Sequence, residues 1–359
     1  MKKRMLSLLL VLTMAVSLVS GLSMNASADD LIADWIQNNE TIGKVVETFF
    51  DEENVVYHGY CGDTSSGMAE SYVQFDIYAV TNPTVLRDEH LQKIFDTINY
   101  DPDQQYYGVW IYGNGDMANY DHITNKSPWS GAITLTKGTH AGETVNLEER
   151  LVVAYVEGAN AENKFATGVT SVGEDAFWGQ DRLTAVFLGS TVTNIKSSAF
   201  ESCDLLAAIN MPNALETIGD RAFYACDKLT FVRARATHIK EIGERAFFSC
   251  TFLADVELPY TLRTIGKYAF AWDRILGTKN FILPNGVTTI GEGAFAFCTH
   301  IPELTVPNSV TNIGPYAFLG AYALEKLTFT EGDSNHTQPM TIGAGAFAAN
   351  YALSEVEFH

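Results

Sequence analysis

Five cysteines and eight histidines are the residues of this 359-residue chain best suited to chemistry. Cys61 stands with His58 in YHGYCGD. A cysteine with a histidine and an aspartate is the raw material of a thiol hydrolase, in which the imidazole takes the thiol proton. Such partners need not be neighbours in sequence, so His90, His122 and His140 are equally open. No flanking signature accompanies Cys61, and its type alone does not separate a nucleophile from a packed thiol. A zinc site on His58 and Cys61 lacks a second ligand pair at standard spacing. Asp101-Pro102-Asp103 and Gly113-Asn114-Gly115-Asp116 carry oxygens that suit calcium. Both fall short of the EF-hand arrangement, and turns ordinarily contain these residues. The residues therefore name no catalytic group, no metal and no cofactor.

The other four cysteines follow a rule. Cys203, Cys226, Cys250 and Cys298 each lie three residues after a phenylalanine, as in IGERAFFSC (242–250), where Gln180, Asp273, Ala321 and Asn350 stand in other copies. Aligned on Ala-Phe, the second half contains VGEDAF, IKSSAF, IGDRAF, IGERAF, IGKYAF, IGEGAF, IGPYAF and IGAGAF. The phenylalanines are Phe177, Phe200, Phe223, Phe247, Phe270, Phe295, Phe318 and Phe347, spaced by 23, 23, 24, 23, 25, 23 and 29 residues. A period of this length marks stacked supersecondary units. Thiols distributed by that period are scaffold positions. Export would permit oxidation, but side chains stacked in register point the same way, which predicts reduced thiols.

Six residues after each phenylalanine comes Leu or Ile, then an alternation such as ADVEL or PELTV, the pattern of a half-buried strand. Val232, Val256, Leu304 and Leu327 would face inward, and prolines 212, 259, 284 and 307 close strands where a missing N–H costs least. The phenylalanines would stack from unit to unit. The repeated glycine before xxAF is expected to supply a backbone shape closed to other residues, which puts the turn at Lys196 in doubt. Eight units at about 4.8 Å per strand make a stack roughly 40 Å long.

L-x-x-V-x-L-P followed by V-T-x-I-G-x-x-A-F-x-x-C resembles the BspA-type leucine-rich repeat of bacterial surface and secreted proteins, over residues 169–359. The resemblance implies a leucine-rich repeat solenoid with a parallel sheet on its concave face, and a binding protein or adhesin that contacts host matrix, other bacteria or epithelial surfaces. GTKNF and TEGDSNHTQPM interrupt the pattern. Insertions map to loops beside such a stack, as binding elements or as tolerated drift.

The chain opens with Lys2, Lys3 and Arg4, an apolar run, and Ala26-Ser27-Ala28. These are the parts of a signal peptide over 1–28, too short and too interrupted for a spanning helix. Secretion follows, with possible surface association and no membrane insertion after cleavage. Loss of the leader moves the formal charge from −20 to −23. Residues 29–150 hold 21 Asp and Glu against 6 Lys and Arg, and residues 151–359 hold 22 against 14. That shift divides the mature chain into an acidic domain, 29–150, and a solenoid, 151–359. Nucleic acid is excluded as a partner, since its binding needs clustered cations. LIADWIQNNETIGKVVETFF and VLRDEHLQKIFDTI have helical spacing; YVQFDIYAV, YYGVWIY, SGAITLT and RLVVAYV read as strands, with GNGD as a turn. The fold class is α+β: a small N-terminal α+β domain, positioned to cover the first edge of a solenoid of eight units of about 23 residues.

On the sheet, alternation projects Phe187, Asn210, Phe231, Arg233, Arg235, Asp255 and Glu257 from the concave face. Aromatics beside arginine are ingredients of a protein hot spot, or else they pack beneath the first domain. The reading is a non-enzymatic, adhesin-like binding protein whose partner is a host matrix or cell-surface protein. The alternatives are an exported hydrolase targeted by its repeats, and a structural component of the cell surface. The strand at SEVEFH lacks a capping segment, which points to self-association or a partner there.

Overall fold

The structure, a computed structural model, describes residues 55–61, 72–80, 104–137, 141–148, 150–157, 168–278, 281–330 and 339–359. The leader, the two segments of helical spacing, Asp101–Asp103, His90 and His140 lie outside the described residues, and the described residues contain strands and turns without a helix.

Two rows of parallel strands run through the repeats, one in three separate runs and one unbroken. The first row, the longer strands although one member has only two residues, lies on the segments of alternating pattern: Ala185–Leu188, Ala208–Ile209, Phe231–Arg233, Asp255–Glu257, Glu303–Val306, Lys326–Phe329 and Glu355–Phe358. Leu304, Val306, Leu327 and Phe329 turn inward and are buried, as alternation requires. A second ladder was not legible in the sequence. Two-residue strands such as Thr217–Ile218, Glu241–Ile242 and Thr264–Ile265 pair in unbroken succession from Val169–Val172 to Thr341–Ile342. Their brevity hid them, because two residues cannot display a period.

Between the ladders runs the Ala-Phe segment, and it too is bonded from repeat to repeat. The Phe200 N–H donates to the Ala222 carbonyl (2.8 Å), and the Phe223 N–H to that of Ala246 (2.7 Å). Residues two before and two after each phenylalanine have positive φ, as at Arg221 (57°), Ala225 (58°), Tyr268 (56°) and Trp272 (69°). Each such non-glycine residue costs about 1–2 kcal/mol, and the inter-repeat hydrogen bonds it permits offset that cost. The glycine before xxAF therefore has another purpose than the one expected. Gly243 has no positive φ, but a Cβ there would lie 2.5 Å from the carbonyl carbon of Gly219 in the preceding repeat. Close stacking, not backbone freedom, selects it. Lys196 keeps the same turn: its N–H donates to Val172 (3.1 Å), and Nζ reaches Asn119 Oδ1 (3.1 Å).

All eight phenylalanines form one column, with ring centroids 5.1–5.3 Å apart and planes within 10° of parallel. The column begins with Trp129, which is buried, stacks on Phe177 at 5.1 Å, and donates Nε1–H to the Ala176 carbonyl (2.6 Å).

The N-terminal strands continue the solenoid. Val55–Tyr60 pairs antiparallel with Tyr72–Val80, which pairs antiparallel with Tyr106–Asp116. The last of these begins both ladders, pairing parallel with Leu151–Val156 through residues 107–111 and with Val169–Val172 through 115–116. Leu151–Val156 then pairs with Ala185–Leu188. The GNGD stretch read as a turn lies inside this strand. Gly113 (φ 124°) and Gly115 (φ 92°) let one strand bend from one ladder to the other.

Candidate functional site

The outward face of the longer strands changes character along the stack. Trp110, Tyr155 and Phe187 stand in register on adjacent strands, with Trp110 and Tyr155 rings 5.9 Å apart. Phe187 is completely buried and Phe231 nearly so. Of the two readings the sequence left open for them, exposed hot-spot aromatics or packed side chains, their burial is that of packed side chains. Asn210 is buried as well, and its carboxamide grips the backbone of Leu188, accepting from the N–H (2.6 Å) and donating to the carbonyl (2.8 Å). A side chain so used satisfies two buried backbone groups and is not available to a partner.

From Arg233 onward the face opens. Arg233 has a side chain only 14% exposed, donates to Asp255 (2.6 Å), whose side chain is 15% exposed, and pairs with Glu257 (3.4 Å), which is 42% exposed. Arg235 bonds the Tyr260 hydroxyl (3.0 Å) with its guanidinium 5.7 Å from the ring centre. Three of the expected contact residues, Arg233, Asp255 and Glu257, thus come together as an ion-pair network rather than as arginines beside open phenylalanines, with Arg235 held apart on Tyr260. Further along, Glu303, Thr305, Lys326, Thr328, Glu355 and Glu357 occupy the same face. Lys326 bridges Glu355 (3.0 Å) and Glu357 (2.8 Å). The ammonium of Lys326, followed by His359, holds the Glu357 carboxyl down at about 2.

Cys61 and His58 do not meet. Tyr57 packs on Phe75 inside, whereas His58 faces the other side of its strand, bonded to Asp76 (2.7 Å) with the Tyr112 hydroxyl at 3.4 Å. Cys61 is buried, and burial pushes its thiol up, away from the thiolate a nucleophile needs. The repeat cysteines are reduced, and each Sγ donates to the carbonyl of the phenylalanine one repeat earlier, as from Cys226 to Phe200 (3.1 Å). Their spacing reflects that bond. Among the described residues, no three His, Cys, Asp or Glu side chains converge on a metal position.

Sequence reasoning missed a polar cleft between the N-terminal part and the first repeat. His122 stacks on Trp178 (4.3 Å) and pairs with Asp175 (2.9 Å), while Lys126 pairs with Glu148 (3.7 Å) beside them. These residues are scattered in sequence and belong to no motif, so only the fold unites them.

Comparison with functionally characterised proteins gave no significant match. Solved structures with similarity include a leucine-rich repeat protein of T. pallidum, 23% identical, covering 69% of this chain and 83% of that one, TM-score 0.37. A leucine-rich repeat protein of Eubacterium ventriosum is 19% identical, covering 71% and 70%, TM-score 0.40. A leucine rich cell surface protein of Faecalibacterium prausnitzii is 16% identical, covering 72% and 94%, TM-score 0.27. The BspA type leucine rich repeat region matches in six copies over residues 170–277 and 273–359. With that match over more than half its length, and with the stacked units described above, the chain belongs to the BspA-type leucine-rich repeat family.

Proposed function

We propose that the protein is exported through the leader at 1–28 and acts, free or at the cell surface, as an adhesin-like binding protein. Its partner is a host matrix or cell-surface protein, engaged by the longer-strand face from Arg233 to Glu357. The observation that carries this reading is the change along that face, from packed at Phe187 to open and charged at Glu257, Glu303 and Thr305. Two runs of parallel strands with alternating polar side chains, one on each side of the fifth repeat, suit a protein surface and suit no small molecule. Hydrolysis by Cys61 is the weaker reading, because the thiol is buried and turned away from His58.

The test uses the full mature chain against immobilised purified matrix proteins and washed epithelial cells, with Thr305→Arg, Thr328→Arg and Glu257→Arg as surface variants. Tyr316→Ala, on the turn side, is the control. Retained binding in the control with at least a tenfold loss in the sheet variants supports the reading, and equal binding by all four overturns it. A fragment beginning near residue 161 would be a poor reagent, since it lacks Leu151–Val156 and Trp129, on which the first repeat packs. The same preparation, sedimented over a concentration range, reports whether a second copy pairs through the exposed Val356 and Phe358.

A further inference from the structure

Asp273 occupies the cysteine position of the fifth repeat, three residues after Phe270, and is completely buried. Neither carboxyl oxygen has a hydrogen-bond donor among the described residues. The nearest backbone donor, the Cys250 N–H, already bonds the Phe247 carbonyl (3.3 Å).

The neighbouring repeats show what the position does. Phe177 O accepts from Cys203 Sγ (3.0 Å), Phe200 O from Cys226 (3.1 Å), Phe223 O from Cys250 (3.1 Å) and Phe270 O from Cys298 (3.0 Å). Between the first and last of these cysteines, Phe247 is the one carbonyl the series skips, and by register Asp273 is the residue that faces it; further on, Ala321 and Asn350 stand at the cysteine position and the series ends. An ionised carboxylate is an acceptor only, so it would set two acceptors against each other in a dry site. A protonated carboxyl has one O–H to donate.

The break falls at a weak point. The longer ladder is interrupted between Ala208–Ile209 and Phe231–Arg233 and again between Asp255–Glu257 and Glu303–Val306, and at the second gap the described residues of the fifth repeat form no longer strand at all. There the two halves of the solenoid are joined by the short ladder, by the turn-side bonds and by the phenylalanine column. We propose that Asp273 is a proton-dependent latch at this seam: as a neutral acid it donates to the Phe247 carbonyl and closes the column, and on losing its proton it opens the joint.

The groups facing Asp273 are consistent with a neutral form. Cys250 and Cys298 flank it from the adjoining repeats as buried, uncharged thiols, and Arg274 directs its guanidinium over the Trp272 ring (5.8 Å). Burial drives the carboxyl well above the usual range. The sign follows. An unfolded aspartate releases its proton near pH 3.9, whereas the folded one retains it, so the folding equilibrium constant falls about tenfold per pH unit above about pH 4 and levels off once the buried carboxyl ionises.

Urea unfolding of the full chain between pH 4 and 8 tests this with Asp273→Asn, which keeps a donor, and Asp273→Cys, which restores the column's thiol. Neither side chain acquires a charge while the buried site is folded. The ratio of variant to wild-type folding constants should rise with pH, about tenfold per unit at first. A ratio that stays flat overturns the proposal. Should the variants not fold, Asp181→Asn with Asp204→Asn removes two other carboxyls that burial raises. In that protein, carbon-13 titration of aspartate side chains should still show one carboxyl protonated well above pH 4, and its absence overturns the latch.

Discussion

Replacing Trp129 by alanine should unfasten the first repeat and leave the distant ones closed. Trp129 is buried between Phe177 (5.1 Å, stacked) and Phe75 (5.5 Å, edge-on), and its Nε1–H is the donor to the Ala176 carbonyl at 2.6 Å. Removing a buried tryptophan costs about 3–5 kcal/mol, to which the orphaned carbonyl adds within the upper part of that range. In a stack whose units touch only their neighbours, such a loss is local. At 1.36 kcal/mol per decade, the lower bound of 3 kcal/mol raises the opening constant about 100-fold. Amide exchange followed by mass spectrometry should therefore accelerate by roughly that factor over Val169–Val172 and Ala185–Leu188, with little change over Asn312–Ile313 and Lys326–Phe329. Trp129→Phe keeps a ring on the column but loses the donor and part of the indole volume, so about 1–3 kcal/mol is expected. Equal acceleration in all segments, or a cost below about 1 kcal/mol for the alanine, would refute the view that Trp129 is the first member of the column.

Two further outcomes test the packing of the turns. Gly243→Ala places a Cβ 2.5 Å from the Gly219 carbonyl carbon and should cost about 3 kcal/mol by overpacking. Gly179→Ala, at φ 66° with open space around it, should cost only the left-handed penalty of about 1–2 kcal/mol; equal urea midpoints would remove the distinction. All five cysteines are buried, and burial pushes the thiols of Cys61, Cys203, Cys226, Cys250 and Cys298 up. Native protein at pH 8 should thus resist iodoacetamide until urea opens it, and rapid labelling of any one thiol in the native state, identified by mass spectrometry, would show that the column is not closed.

The repeat was legible because its largest side chains fall on a period. Phe177 to Phe347 announced the column, and alternation in ADVEL and PELTV located the longer strands together with the inward Val256 and Leu304. What escaped has no local period. Glu241–Ile242 is two residues long, and the left-handed residues Arg221, Arg245 and Tyr268 are of types that a local rule assigns to right-handed backbone. The glycines misled, because steric approach by the next repeat and freedom of φ select the same residue. Trp129 sits in SPWSG without an Ala-Phe frame, so its place at the head of the column follows only from tertiary packing. Alternation also assigned Phe187 and Arg233 to the outward face without revealing whether that face was covered.

That distinction limits where a partner can be read. The strand at Ala185–Leu188 is buried on both faces, and Phe231 ends the packed part. Beyond it, Asp255–Glu257, Glu303–Val306 and Lys326–Phe329 alternate a buried residue with one that reaches solvent. Many of the charges on that face are already matched within the sheet, as Arg233 with Asp255 and Lys326 with Glu355 and Glu357. A partner that docks there must exchange these pairs rather than meet bare charge. Ion pairs exchanged across a sheet contribute more to register and selectivity than to raw affinity. Tight binding would then need apolar contacts from the rim, where Tyr260 and Ile282 stand exposed beside the same strands.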